Sequence, residues 1–273
     1  MFDPATPLVL ITFALGAVAG MMGTLLGLGG GVFLVPFLVL VAGIPFHTAI
    51  AISLTTVIAT STAVSAAAAG RQLINLRLGI VLEVATAAGG LAGGITAYAL
   101  SPRTLHLLFA ALTATIGAVT LARLNHVDTA ASGDTGQLGG SYVDPATGEL
   151  VTYRVKRLPL ALVASVVAGN ISTLLGVGGG IVKVPVLNAW CGVPMRAAAA
   201  TSAFMIGVTA TAGAVIYYGR GDMIPELAAA AVLGVQLGST AGTRVGKRLG
   251  QRALSLLLAC VLFTVAVLML VRS

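Results

Sequence analysis

The residues able to do chemistry in this chain are few, and they gather around one motif written twice. "GTLLGLGGGVFLVP" spans Gly23–Pro36, and "STLLGVGGGIVKVP" spans Ser172–Pro185. Glycines inside apolar sequence are costly, because each weakens a helix interior by roughly 1 kcal/mol relative to alanine. In return they let backbone N–H groups approach a ligand closely, and a helix starting after them presents a partial positive charge that suits an anion. Gly29, Gly30 and Gly31, with Gly178, Gly179 and Gly180, are therefore the expected backbone half of an anion-binding site. The competing reading is close helix packing through small residues. Nucleotide motifs fit worse: "GLGGGV" lacks the third glycine of the dinucleotide fingerprint, and "GVGGGIVK" lacks the Walker spacing.

Two charged side chains stand inside apolar runs, where an ionisable group is a functional candidate by default. Lys183 lies three residues after Gly180, so its ammonium either raises the local potential for an anion or snorkels to an interface. Glu83, in "RLGIVLEVATAAGG", either pairs with Lys183, carries a coupling proton, or reaches a membrane face. Ser53, Thr201, Ser202 and Asn170 offer neutral hydrogen-bonding groups on the apolar runs, as do Thr55, Thr56 and Gln236. His47, His106 and His126 fall at segment ends or in a loop, where solvated histidines are expected. Cys191 and Cys260 lie in or beside apolar segments and read as small hydrophobes. No Ser-His or paired-Asp constellation appears at catalytic spacing, so no enzyme, metal or cofactor is expected.

These groups must be positioned by a membrane-embedded framework. Hydrophobic residues make up 58% of the 273 positions and charged residues only 8%, against about a quarter charged in a soluble domain. Apolar segments fall at 8–26, 30–43, 48–69, 78–100 and 104–122, then again at 158–175, 179–192, 197–218, 224–245 and 253–271, several reaching the ~20 residues that cross a bilayer. The net charge of +7 is spread through the loops between them, which marks topology rather than nucleic-acid binding. The expected fold is thus an all-α integral membrane protein of about ten transmembrane segments, its partners a small anion and the lipid bilayer.

The second set of segments copies the first. Shifted by 149 residues, Thr24–Ser53 matches Thr173–Ser202 at 15 of 30 positions. Two five-segment repeats (1–122 and 158–273) enter the membrane from opposite sides, an inverted-repeat plan. Alternating crossings place Arg71, Arg77, Arg123, Arg154, Lys156, Arg157, Arg196, Arg244, Lys247, Arg248 and Arg252 on one side, with Arg103, Arg220 and Arg272 on the other. The crowded side is then cytoplasmic and both termini extracytoplasmic. Residues 8–43 and 158–192 are each too short for two full crossings, which need about 40 residues, so the glycine loops stop within the membrane and can meet there. Pro36 and Pro185 mark either helix starts or interior kinks. Residues 123–157 form a cytoplasmic linker in which "SYVDPATGELVTYRV" reads as a small hairpin.

The double motif "GLGGGVFLVPFL" and "GVGGGIVKVPVL", each followed by a G-x-P break and a helix of small residues, resembles the TauE/SafE sulfite exporter family over nearly the whole chain except 123–157. The resemblance implies a bacterial plasma-membrane carrier that exports sulfite or an organosulfonate. It points to the six motif glycines and to Ser53, Thr201 and Ser202; Lys183 departs from the symmetry of the motif. A channel of the same architecture, or a carrier for another small anion, is the alternative.

Overall fold

The computed structural model describes residues 5–26, 30–69, 73–122, 138–143, 148–246 and 251–271. They form α1 (Ala5–Leu26), α2 (Gly31–Leu40), α3 (Phe46–Ala69), α4 (Leu76–Ala99) and α5 (Pro102–Ala122), then β1 (Gly140–Val143) and β2 (Leu150–Tyr153). The second half gives α6 (Leu158–Leu175), α7 (Gly180–Ala189), α8 (Met195–Gly219), α9 (Pro225–Gly246) and α10 (Gln251–Val271). Each expected apolar segment is a helix, the state that satisfies backbone polar groups without water. Among the described residues, α1, α3, α4, α5, α6 and α8 are long and apolar enough to cross a membrane. The helices α2 and α7 have 10 residues each, about 15 Å of rise, so the shortness expected at the glycine loops is observed. Pro36 and Pro185 lie inside α2 and α7, not at their starts.

Glycine backbones set the closest helix contacts, and they do so twice in the same way. A Cβ on Gly20 of α1 would stand 2.3 Å from the Val235 carbonyl oxygen of α9, and one on Gly169 of α6 2.0 Å from that of Thr86 of α4. Gly169 and Thr86 are the repeat counterparts of Gly20 and Val235. The reciprocal pair behaves alike: Gly238 against Ala17 at 1.9 Å, and Gly89 against Val166 at 2.0 Å. Only hydrogen fits at such crossings. The contacts also fix direction. Gly16 meets Ala231 and Gly20 meets Val235, so α1 and α9 run parallel; Gly89 meets Val166 and Gly93 meets Asn170, so α4 and α6 do too. The helix α8 runs parallel to α4, with Asn75 at Thr201 near their starts and Tyr98, in the last turn of α4, at Asp222, just past the end of α8.

On α4, Ile80, Val84 and Ile95 point outward, whereas Leu82, Glu83, Thr86, Gly90 and Gly94 are buried. The broad outer apolar surface suits lipid. The innermost layer is α2 with the first half of α3: Val32, Phe33, Leu34, Val35, Leu38, Ile50, Ile52 and Leu54 are all fully buried.

The expected hairpin is present, with Gly140 opposite Tyr153 and Val143 opposite Leu150. It is more than a tether. Tyr142 and Tyr153 are buried in a cluster with Leu78, Leu82, Leu187 and Met205, Asn75 Nδ2 donates to Leu138 O at 2.9 Å and to Tyr153 Oη at 3.2 Å, and Lys156 N–H donates to Cys191 O at 2.9 Å. Burial pushes the Tyr153 phenol above its usual pKa, against the hydrogen bond from Asn75. The hairpin thereby covers one end of the α4, α6, α7 and α8 group.

Candidate functional site

The second glycine loop owes its shape to backbone angles that other residues resist. Gly176 (φ 69°) and Gly178 (φ 78°) are left-handed, the region glycine enters without steric cost. The Gly176 N–H closes α6 on Ser172 O, and Gly179 caps α7, its carbonyl accepting from Val182 N–H and Lys183 N–H at 3.3 and 3.1 Å. In the first loop Gly30 caps α2 and accepts from Phe33 N–H and Leu34 N–H at 3.2 and 3.0 Å. Helical hydrogen bonding leaves the first N–H groups of α2 and α7 without acceptors of their own. Gly29 lies outside the described residues.

The two loops touch. Ser53 Oγ on α3 donates to Gly176 O at 2.6 Å and lies 3.5 Å from Gly31 O. A Cβ on Gly31 would stand 2.7 Å from Gly176 O and 2.9 Å from Ser53 Oγ, whereas one on Gly30 would come no closer than 3.4 Å, to a Val235 methyl. Alanine at 31 must therefore push the loops apart while alanine at 30 is accommodated. We expect Gly31→Ala to lower transport by about tenfold or more and Gly30→Ala to stay within about twofold of wild type, since a 1.4 kcal/mol change is tenfold. Equal activities of the two purified variants in liposomes would show that loop contact is unimportant.

Lys183 does not snorkel. It is 2% exposed, its Cε lies 3.3 Å from where a Cβ on Gly179 would be, and its Nζ has no hydrogen-bond partner. Glu83 is 7% exposed; its Oε1 accepts from Thr209 Oγ1 at 2.8 Å, and its Oε2 has no partner. The two charges interact electrostatically across the α4–α7 boundary. Ser202, the counterpart of Ser53, lies beside Gly180, 3.4 Å from where its Cβ would stand. Ser202 Oγ and Ser172 Oγ are likewise buried without partners. Interiors normally satisfy such groups, and the open Lys183 and Ser202 donors beside the second loop have the chemistry to hold a small anion.

The repeat sharpens the pairing. Lys183 has Leu34 as its counterpart, and Glu83 has Val232. The two departures from symmetry, one in each copy, bear on each other electrostatically, and the related positions are apolar. Lys183 and Glu83 are thus charged where the other copy carries apolar side chains, so neither charge is required by the packing plan that the copies share.

Not every expected residue joins this group. Thr201 Oγ1 accepts the Asn75 N–H at 3.0 Å and so anchors the start of α4. Asn170 is half-buried, with its backbone against Gly93. His47 is a correction to the expected solvated histidine: its ring stacks on Tyr98 at 4.8 Å and its Nε2 lies 3.2 Å from Ala97 O. His126 is outside the described residues, and His106 packs on Phe46 at 4.9 Å. Sequence reasoning passed over Thr173 and Thr209, although both recur in the repeat as Thr24 and Thr60.

A family model described as sulfite exporter TauE/SafE matches residues 12–269. A curated relative, the "Probable membrane transporter protein YunE" of Bacillus subtilis (strain 168), is 25% identical over 237 residues, covering 84% of this chain and 85% of that protein. No solved structure matches the chain.

Proposed function

The chain belongs to the TauE/SafE sulfite exporter family, a family of membrane transporters, and from that premise we propose that it carries a small sulfur-containing anion, sulfite or an organosulfonate, out across a bacterial plasma membrane by alternating access. The observation that carries this reading is the buried Lys183 ammonium, open at Nζ, beside the second glycine loop. A sulfur oxyanion takes several hydrogen bonds at once. Lys183 supplies charge, the loop N–H groups and Ser202 supply neutral donors, Ser53 holds the loops together, and Glu83 carries the coupling proton.

Topology supports the same plan. Parallel α1 and α9, and parallel α4, α6 and α8, fit ten alternating segments in two inverted repeats, with α2 and α7 as half-crossings. In that arrangement Arg77, Arg157, Arg196 and the hairpin share the cytoplasmic end, while Arg220 is at the other, with both termini. Gly30, Gly31 and residues 176–179 are buried, so access requires one end to open at a time, as in carriers built on inverted repeats.

The test is counterflow in proteoliposomes preloaded with unlabelled sulfite, sulfoacetate, taurine or sulfate, followed by entry of labelled sulfite. We expect transient accumulation driven by sulfite or sulfonates and not by sulfate. Entry without counterflow would replace the carrier by a channel, and no entry would remove sulfite from the substrate class.

A further inference from the structure

One face of α4 leads away from the anion site towards the opposite end of the molecule. Glu83, Gly90, Gly94 and Tyr98 are spaced by seven, four and four residues, which aligns them along a helix. At Gly90 and Gly94 the missing side chains give room to Thr173. A Cβ at Gly90 would stand 3.0 Å from Thr173 Oγ1 and 3.1 Å from Thr209 Cγ2, and one at Gly94 3.3 Å from Thr173 Cγ2. Across from them Gly213 of α8 does the same, with Thr173 Oγ1 2.9 Å from its Cβ position. Three glycines on two helices thus surround one threonine whose buried hydroxyl has no partner.

The polar groups continue on both sides of Thr173. Towards Glu83 stands Thr209, hydrogen-bonded to its carboxylate. In the other direction Tyr217 Oη donates to Thr173 O at 3.0 Å, and the Tyr217 ring lies 5.5 Å from that of Tyr98. The Tyr98 hydroxyl donates to the carboxylate of Asp222, which stands where the chain leaves α8. Arg220 lies over the Tyr98 ring at 4.5 Å and His47 stacks on it.

We propose that this line, from Asp222 and Tyr98 through Tyr217 and Thr173 to Thr209, is the path by which Glu83 exchanges its proton with the end of the molecule away from the hairpin. The proposal rests on the transport function above. A proton enters at Asp222, passes by the hydroxyls of Tyr98, Tyr217, Thr173 and Thr209 as they reorient in turn, and is held on Glu83 Oε1, the oxygen that Thr209 reaches. The charged groups bearing on it are known. Lys183 of α7 acts on Glu83 electrostatically; α6 carries no charged residue, and α8 carries only Arg196 near its start. The hairpin contributes the neutral phenols Tyr142 and Tyr153 to the neighbouring cluster. At the far end Arg220, His47 and Tyr217 surround Tyr98 and Asp222. Substrate and proton would then reach the Glu83–Lys183 pair by different routes, the anion by the glycine loops and the proton along α4.

The test uses a reaction that needs no net proton transfer as its own control. Wild type, Thr173→Val, Thr173→Ser and Tyr98→Phe are reconstituted, and two rates are measured with labelled sulfoacetate: counterflow at equal pH, and accumulation driven by a pH gradient. We expect Thr173→Val and Tyr98→Phe to keep counterflow within about twofold and lose pH-driven accumulation by about tenfold or more, while Thr173→Ser, which keeps the hydroxyl, behaves as wild type. Undiminished pH-driven accumulation in Thr173→Val overturns the path. Loss of both rates together also overturns it, by moving Thr173 into the route of the anion. Wild type that shows counterflow without any pH-driven accumulation removes the path alone, whereas wild type without counterflow removes the function on which it rests.

Discussion

Anion counterflow is expected to fall about a hundredfold when Lys183 is replaced by methionine, a side chain of similar length and flexibility. A hydrogen bond to a buried charged group contributes about 1.5–3 kcal/mol, and every 1.4 kcal/mol is tenfold in affinity. The Coulombic attraction for the anion is lost with the hydrogen bond. The loss is not merely one of fold. Breaking a buried pair by removing one partner costs about 3–5 kcal/mol of stability, whereas replacing both partners is often neutral. Lys183→Met should therefore melt earlier than wild type, and the double variant Glu83→Gln with Lys183→Met should recover its thermal midpoint in detergent without recovering counterflow. Both sequence counterparts, Leu34 and Val232, are apolar, so exchange of both partners is expected to be tolerated. A folded double variant with wild-type counterflow would take Lys183 out of the anion site.

The framework of that site is legible in the sequence because membrane helices announce themselves by length and the repeat by identity. The run 78–100 foretells α4 to within two residues, and the deficit of residues around "GLGGGV" foretells the half-length α2. The meeting of the two loops follows from the same shortage of length; that Ser53 bridges them, while the hydroxyl of its counterpart Ser202 has no partner, does not. The chemistry between repeats is harder to read. Nothing in "RLGIVLEVATAAGG" says that Glu83 faces Thr209 and Lys183 instead of lipid, because a uniformly apolar helix carries little amphipathic signal. Thr173 and Thr209 look like ordinary helix threonines until the repeat places them at equivalent positions. His47 reads as a solvated loop end, and only the tertiary fold brings Tyr98 from another helix to cover it. The hairpin turn is visible in "DPATG", but the burial of Tyr142 and Tyr153 depends on contacts with α4 and α8 that are remote in sequence.

Glu83→Gln separates binding from coupling. Glutamine keeps the shape of the side chain and an oxygen able to accept from Thr209, yet it neither carries a charge nor takes up a proton. In the wild-type site the carboxylate and the incoming anion compete for one ammonium. A proton on Glu83 ends that competition, so anion affinity should rise as pH falls. With a sulfonate such as sulfoacetate, whose charge is constant near neutral pH, the KM of wild type is expected to fall on acidification. The variant lacks the internal competitor at every pH. Its KM should be lower than that of wild type at neutral pH by about tenfold, a difference of about 1.4 kcal/mol, and should not vary with pH. Accumulation against a gradient should disappear, because nothing remains at the site to carry the proton, while counterflow persists. A variant whose KM keeps the pH dependence of wild type would assign the proton to another group and leave Glu83 as a fixed counter-charge of Lys183.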